Sequence, residues 1–181
     1  MVLLPIAWFC FSAVVLLLQP KLALFNCPLN LTLALVYSFG IKTASHQPAA
    51  SGSDDVAPEI ISTIFGAGIG LIEDVLTGSL IGPNLLSKGL AGFISSIVYR
   101  EIFFRWESVL GGVVLAVLTL LDGLVVIGAR ELFSSTTTGG PAVVELVIIQ
   151  SVMNIPLGLL VRAGQKAVVP EFRWFHGRKY N

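Results

Sequence analysis

Long apolar runs separated by short polar links dominate this chain and limit the folds available to it. A helix needs about 20 consecutive apolar residues to cross the hydrocarbon core of a bilayer, and several runs here reach that length. Charged residues form only 12% of the sequence, about half of the roughly 25% typical of a soluble domain. Because lipid-facing helices need no polar surface, a membrane location explains this deficit. The sequence therefore predicts an all-α, polytopic membrane helical bundle.

About six spans fit the apolar runs, and a single integral membrane domain then takes up the whole chain. The predicted spans lie near residues 2–18, 22–41, 59–80, 85–104, 109–132 and 142–161. Since proline interrupts helical hydrogen bonding, span two either continues through Pro28 or begins there after a short outer piece. The polar segment 43–58 is predicted to be a flexible loop. The basic, aromatic tail 162–181 is typical of a membrane-surface anchor.

The distribution of lysine and arginine predicts the orientation of these spans. With six spans, one side of the membrane holds eight of these residues and the other holds three. The richer side carries Lys42, Arg100, Arg105, Arg162, Lys166, Arg173, Arg178 and Lys179, and the poorer side carries Lys21, Lys88 and Arg130. Since basic residues are retained in the cytoplasm, both termini and the loop 43–58 are predicted to be cytoplasmic. Five spans with an external N-terminus is the alternative.

The predicted third span carries small residues and one carboxylate at a period of four. These residues are Gly66, Gly70, Asp74, Gly78 and Gly82. Steps of four keep them on one slowly drifting helix face. Small residues on one face let a second helix approach closely, which is a main means of helix recognition in lipid. The face is predicted either to pack inside this bundle or to bind another membrane protein.

Carboxylates and a lysine within the predicted spans are the other features that require an explanation. Glu73, Asp74, Asp122 and Glu145 fall in the outer parts of spans three, five and six, and Lys88 near the outer start of span four. A charge at the bilayer centre costs roughly 2.5–3.5 kcal/mol on insertion scales, so such side chains usually face protein or water. Lys88 and Arg130 are the two candidate partners for one of the carboxylates. The group is predicted to be either an internal polar pin or a polar pocket that opens outward.

The remaining polar residues give no sign of catalysis. Gln150 and Asn154 lie four apart in span six and are predicted to form interhelical hydrogen bonds. Cys10 and Cys27 lack metal-ligand spacing and are interpreted as small buried hydrophobic residues. No nucleophile elbow, Walker loop or HExxH motif occurs in the sequence. Net charge is zero, which gives no indication of a nucleic-acid partner. An enzyme, a metal site and a cofactor are therefore not expected.

The segment 66–93, GAGIGLIEDVLTGSLIGPNLLSKGLAGF, resembles the bacterial rod shape-determining protein MreD family. Members carry a pattern close to G-x-x-x-D-x-x-x-G-x-x-x-G followed by an apolar helix. Gly70, Asp74, Gly78 and Gly82 match this pattern in order. Further points of likeness are the chain length, the span count, the basic C-terminal end, and the residues Pro28, Asn30 and Asp122.

The resemblance implies a non-enzymatic scaffold of the cell-elongation, peptidoglycan-synthesising machinery in the cytoplasmic membrane of a rod-shaped bacterium. Its implied partner is a membrane protein of the MreC type. Through that partner it would reach the actin-like MreB filament, the SEDS glycosyltransferase RodA and a class B penicillin-binding transpeptidase. The MreD family is in turn similar to the six-helix substrate-binding subunits of energy-coupling-factor transporters. The alternative function is therefore a membrane subunit that binds a vitamin or another small molecule for transport.

Overall fold

The computed structural model describes residues 10–12, 14–17, 19, 23–24, 27–46, 57–78, 81–101, 109–133 and 141–168. Within them the main elements are α1 (Leu31–His46), α2 (Pro58–Thr77), α3 (Pro83–Glu101), α4 (Val109–Phe133) and α5 (Pro141–Val168). Residues 10–12 and 14–17 are also helical. Two short strands, β1 (Ala23–Leu24) and β2 (Cys27–Pro28), pair antiparallel. Apart from this pair, the predicted all-α class is confirmed for the described residues.

Three of the described helices are long and apolar enough to cross a membrane, judged by length and composition. They cover Pro58–Thr77, Leu110–Phe133 and Ala142–Gly164, and they carry exposed aliphatic side chains such as Ile64, Val117 and Leu160. With 16 residues, α1 extends over about 24 Å, which is less than the roughly 30 Å of a hydrocarbon core. The described part of the chain is therefore that of a helical membrane protein with three candidate spans.

The second predicted span, 22–41, differs from the structure at its start. A continuous helix through this segment is wrong, because β1 and β2 occupy its first part and α1 begins only at Leu31. Asn30 sets that start: its Oδ1 atom accepts a hydrogen bond from the Leu33 N–H at 3.1 Å, and its backbone carbonyl accepts one from the Ala34 N–H at 3.1 Å. These are the two bonds of an N-cap residue.

The end of α2 is fixed by a glycine rather than by the edge of the apolar run. The predicted span 59–80 ends at Thr77 in the structure, because Gly78 adopts a left-handed conformation with φ 60°. Its N–H donates to the Val75 carbonyl oxygen at 3.3 Å. Left-handed glycine after the last helical residue is a common helix terminator. Pro83 then begins α3, where the missing N–H of proline costs nothing.

The remaining predicted boundaries differ by smaller amounts. Helix α4 begins at the predicted residue 109 and ends one residue after the predicted 132. The helix α1 continues through residues 43–46 of the predicted loop, and α5 continues through residues 162–168 of the predicted tail. Residues 2–9, 47–56, 102–104 and 169–181 of the predicted spans, loop and tail lie outside the described residues.

The core lies where α1 meets the other four helices. Its buried side chains are contributed mainly by α1, with two residues each from α2 and α4 and one from α3; they include Leu33, Val36, Tyr37, Ile41, Phe65, Ile69, Ala91, Leu115 and Leu118. The rings of Phe39 and Phe65 stack with centroids 4.0 Å apart. The interpretation of Cys10 as buried is wrong, because that residue is exposed. Helix α1 is therefore the central, most buried helix of the described bundle.

Candidate functional site

A fully buried lysine forms the centre of a polar cluster inside the bundle. The Lys88 ammonium on α3 lies 2.9 Å from Glu73 Oε2 on α2 and 3.6 Å from Asp122 Oδ1 on α4. It also donates to Asn84 Oδ1 at 3.2 Å. An ammonium has three protons to donate, and three acceptors surround this one. The contacts hold three helices together around one charge.

Residues at the start of α1 complete the environment of the two carboxylates. The amide of Asn30 donates to Asp122 Oδ2 at 2.7 Å, and the Ser87 hydroxyl donates to Asp122 Oδ1. The Thr32 hydroxyl lies 3.2 Å from Glu73 Oε2. Buried polar groups are costly without hydrogen-bond partners. Because Asn30 also caps α1, the beginning of that helix is tied to the ion cluster.

Asp74 has a separate structural role at the α2–α3 turn. Its carboxylate accepts hydrogen bonds from the N–H groups of Gly82 at 2.9 Å, Asn84 at 3.2 Å and Leu85 at 3.2 Å. It also accepts one from the Asn84 side-chain amide at 2.8 Å. The first N–H groups of a helix lack intrahelical partners and usually take a capping side chain. Gly82 has no such side chain, so Asp74 reaches across from α2 and caps α3.

The two groups of contacts form one network through Asn84. Its amide nitrogen donates to Asp74, while its amide oxygen accepts from Lys88. The α3 N-terminus compensates the charge of Asp74 with aligned N–H groups. Glu73 and Asp122 share the single ammonium of Lys88, so the central cluster carries one more negative than positive charge.

A cleft of about 240 Å³ opens beside this cluster. Its polar lining comes from the ends of the first three helices together with Gln19, Asp122 and Gln150, and its apolar side chains come from α4 and α5. Its lining consists of Gln19, Asn30, Glu73, Thr77, Asn84, Asp122, Gly123, Val126, Ile127, Val143, Val147 and Gln150. The lining therefore combines the carboxylates of the cluster with apolar side chains.

The four glycines at a period of four fall into two groups in the structure. A Cβ atom on Gly66 would lie 2.8 Å from the Lys88 carbonyl carbon, and one on Gly70 would lie 2.6 Å from the Leu85 nitrogen. These two glycines let α2 and α3 touch. The assignment of Gly78 and Gly82 to helix packing is wrong, since they have φ 60° and φ 130° and a Cβ there would meet nothing within 4 Å. The four-residue spacing did not reveal that α2 ends between Gly70 and Gly78.

Of the polar residues predicted within the spans, some belong to the cluster and others lie outside it. Glu73, Asp74, Lys88 and Asp122 are brought together as described. Glu145 is exposed on α5, so its assignment to an internal polar group is wrong. Gln150 lines the cleft. Asn154 is buried and donates to the Thr119 hydroxyl at 2.9 Å, which joins α5 to α4.

Four residues of the network were not predicted from the sequence as site residues: Asn30, Thr32, Asn84 and Ser87. A local signal exists for one of them, because Asn84 and Lys88 are four residues apart on one helix and such pairs face each other. The other contacts join residues far apart in the chain, such as Asn30 and Asp122. No spacing rule could have found them.

The fold and the cluster define a helical membrane protein with a buried, charged network beside an open cleft. The chain matches no protein-family model, no curated protein and no solved structure.

Replacing Asp74 by asparagine should destabilise the protein, and replacing it by leucine should do so more strongly. All four partners of this carboxylate are donors, so the NH₂ group of asparagine would face N–H groups and lose at least one bond. Hydrogen bonds to charged groups contribute about 1.5–3 kcal/mol each, so we expect a loss of that order for asparagine. Thermal unfolding in detergent measures it, with the exposed Glu145→Gln as control. Wild-type melting of Asp74→Leu would contradict the capping role.

Proposed function

We propose that this protein is a non-enzymatic scaffold of the bacterial cell-elongation machinery that binds a membrane partner of the MreC type. The observation that carries the proposal is the segment that resembles the MreD family, since each residue of its pattern has a demanding position. Gly70 lies at a backbone contact, Asp74 caps α3, and Gly78 and Gly82 have positive φ. All four residues therefore lie in one tight α2–α3 hairpin, and this is the structural support for the proposal.

The proposed arrangement has six spans in the bacterial cytoplasmic membrane, with both termini in the cytoplasm. The three candidate spans and the eight-to-three distribution of basic residues support it. The proposal extends through the MreC-type partner to the MreB filament, RodA and a class B transpeptidase. A scaffold role agrees with the state of the charged side chains, because Lys88 and Asp74 are held by structural contacts.

Exposed apolar helix faces provide the surface on which such a partner would bind. Along α2 these are Ile60, Ile64, Leu71, Val75 and Leu76, and α4 and α5 carry similar rows. In lipid, specificity between helices comes from close packing and a few polar contacts rather than from apolar burial alone. The cleft beside the cluster offers such polar contacts.

One observation favours the second candidate, a substrate-binding subunit of an energy-coupling-factor type transporter. The cleft of about 240 Å³ is lined by both polar and apolar side chains. Small-molecule sites commonly combine an apolar lining with a few placed polar groups. Under this proposal a vitamin or another small solute would occupy the cleft.

Co-purification from native membranes tests the two proposals against each other. We expect the tagged protein, extracted in mild detergent, to bring with it a single-span, coiled-coil-bearing protein of the MreC type. Loss of the protein should make a rod-shaped host round. An unrelated tagged multi-pass protein from the same host is the control for detergent-driven association. Recovery of an ATPase pair and a bound vitamin, without the MreC-type protein, would overturn the scaffold proposal in favour of the transporter.

A further inference from the structure

One carboxylate oxygen that lines the cleft, Glu73 Oε1, has no hydrogen-bond donor among the described residues. Both side-chain contacts of Glu73, with Lys88 and with Thr32, use its Oε2 atom. Its Oε1 atom accepts no hydrogen bond from the residues that the structure describes, and the side chain is 16% exposed at the cleft. Because Glu73 is partly exposed and lines the cleft, a donor that enters the cleft can reach this oxygen.

The charges around this atom favour a cation over an anion or a neutral group. Among the described residues, Glu73 and Asp122 share the one ammonium of Lys88, so the central cluster has two carboxylates for one cation. Lys88 cannot attract an anion into the cleft, because its ammonium is fully buried and already meets three acceptors. An incoming cation would find both an uncompensated charge and a free acceptor oxygen.

The shape and the lining of the cleft restrict the cation further. No group of three His, Cys, Asp or Glu side chains in the described residues is arranged to hold a metal ion. The same cleft is lined by the side chains of Val126, Ile127, Val143 and Val147 on α4 and α5, an apolar surface suited to a hydrocarbon stem. The volume of about 240 Å³ is below the roughly 300–1,000 Å³ of pockets for drug-sized ligands. The occupant is therefore small, cationic at one end and apolar at the other.

We propose that the cleft binds a small organic amine, whose protonated amino group donates to Glu73 Oε1 and whose apolar stem lies against the α4–α5 wall. The inference stands on the cleft and does not require either proposed function. An amino group of this kind stays protonated at neutral pH, as a lysine side chain does. The position of Lys88 already shows that the two carboxylates accommodate one ammonium between them.

Binding of n-hexylamine to the purified protein in detergent tests this, measured by calorimetric titration and by the rise in melting temperature at pH 7. We expect saturable binding of the amine. Hexanol and hexanoate, which have the same stem without the ammonium, should bind at least about tenfold more weakly, since a charged hydrogen bond is lost. Sodium chloride at equal ionic strength should not reproduce the rise in melting temperature.

Two variants and one control complete the test. Glu73→Gln keeps an oxygen for Lys88 while removing the charge, and Val143→Phe fills the apolar side with the carboxylates intact. Each should weaken hexylamine binding by about tenfold or more, whereas the exposed Glu145→Gln should leave it unchanged. The proposal is overturned if hexylamine does not bind, if hexanol binds equally, if sodium protects equally, or if both cleft variants bind like the wild type.

Discussion

Replacing Gly70 by alanine should destabilise the protein strongly, although only one methyl group is added. The new Cβ atom would overlap the Asn84 carbonyl group and lie 2.6 Å from the Leu85 nitrogen. All of these atoms belong to the backbone of α3, so no side-chain rotation can relieve the clash. Overpacking of a tight interior costs about 1–3 kcal/mol and occasionally more. Because the same backbone amides bind Asp74, a shift of α3 would also weaken its cap.

Two glycines on other helices, Gly89 on α3 and Gly128 on α4, provide matched controls. At Gly89, in the same α2–α3 interface, a Cβ would meet the Ala67 Cβ at an ordinary 3.5 Å. At Gly128 on α4 it would meet nothing within 4 Å, and alanine there should gain up to about 1 kcal/mol from helix propensity. Melting in detergent should therefore rank Gly70→Ala well below Gly89→Ala and Gly128→Ala. Equal melting of all three would show that α2 and α3 do not touch at Gly70.

Within the described residues, the sequence was sufficient to locate α2, α3 and α4, because apolar runs of about 20 residues are a strong signal. It predicted α4 closely, and it identified Gly66 and Gly70 as residues of close approach. It failed at the ends of helices, where one residue decides the outcome. Gly78 ends α2 and Asn30 begins α1, and neither changes the average hydropathy of its segment. Pro83, directly after Gly82, was the available signal that a new helix begins there and that Gly82 does not belong to α2.

The charged residues of the candidate site could be predicted from the sequence, but the contacts between them could not. Charged residues are rare within apolar runs, so Glu73, Asp74, Lys88 and Asp122 were visible at once. Which carboxylate meets Lys88 depends on how four helices pack, and that is a long-range property of the chain. Asp74 and Glu73 illustrate the difficulty, because they are adjacent in sequence and yet one caps a helix while the other pairs with the lysine.

The largest effect in the cluster should come from Lys88→Met, which removes the ammonium and keeps a side chain of similar length. Glu73 and Asp122 would then face each other in a buried site with their shared counter-ion gone. Removing one partner of a buried ion pair costs about 3–5 kcal/mol, because the remaining charge is left uncompensated. Equilibrium unfolding in mixed micelles should show a loss of that order. Glu145→Gln, which removes a charge at an exposed residue of α5, is the control and should melt close to the wild type.

A second substitution separates the loss of charge balance from the loss of packing. If uncompensated charge destabilises Lys88→Met, adding Asp122→Asn should recover part of the lost stability, because the amide removes one buried negative charge and its oxygen can still accept from Asn30. The single variant Asp122→Asn should cost less than Lys88→Met, since it leaves Lys88 paired with Glu73 at 2.9 Å. If the double variant were less stable than Lys88→Met by the full cost of Asp122→Asn, the two changes would be independent. Charge sharing between Lys88 and Asp122 would then have no part in holding α3 against α4.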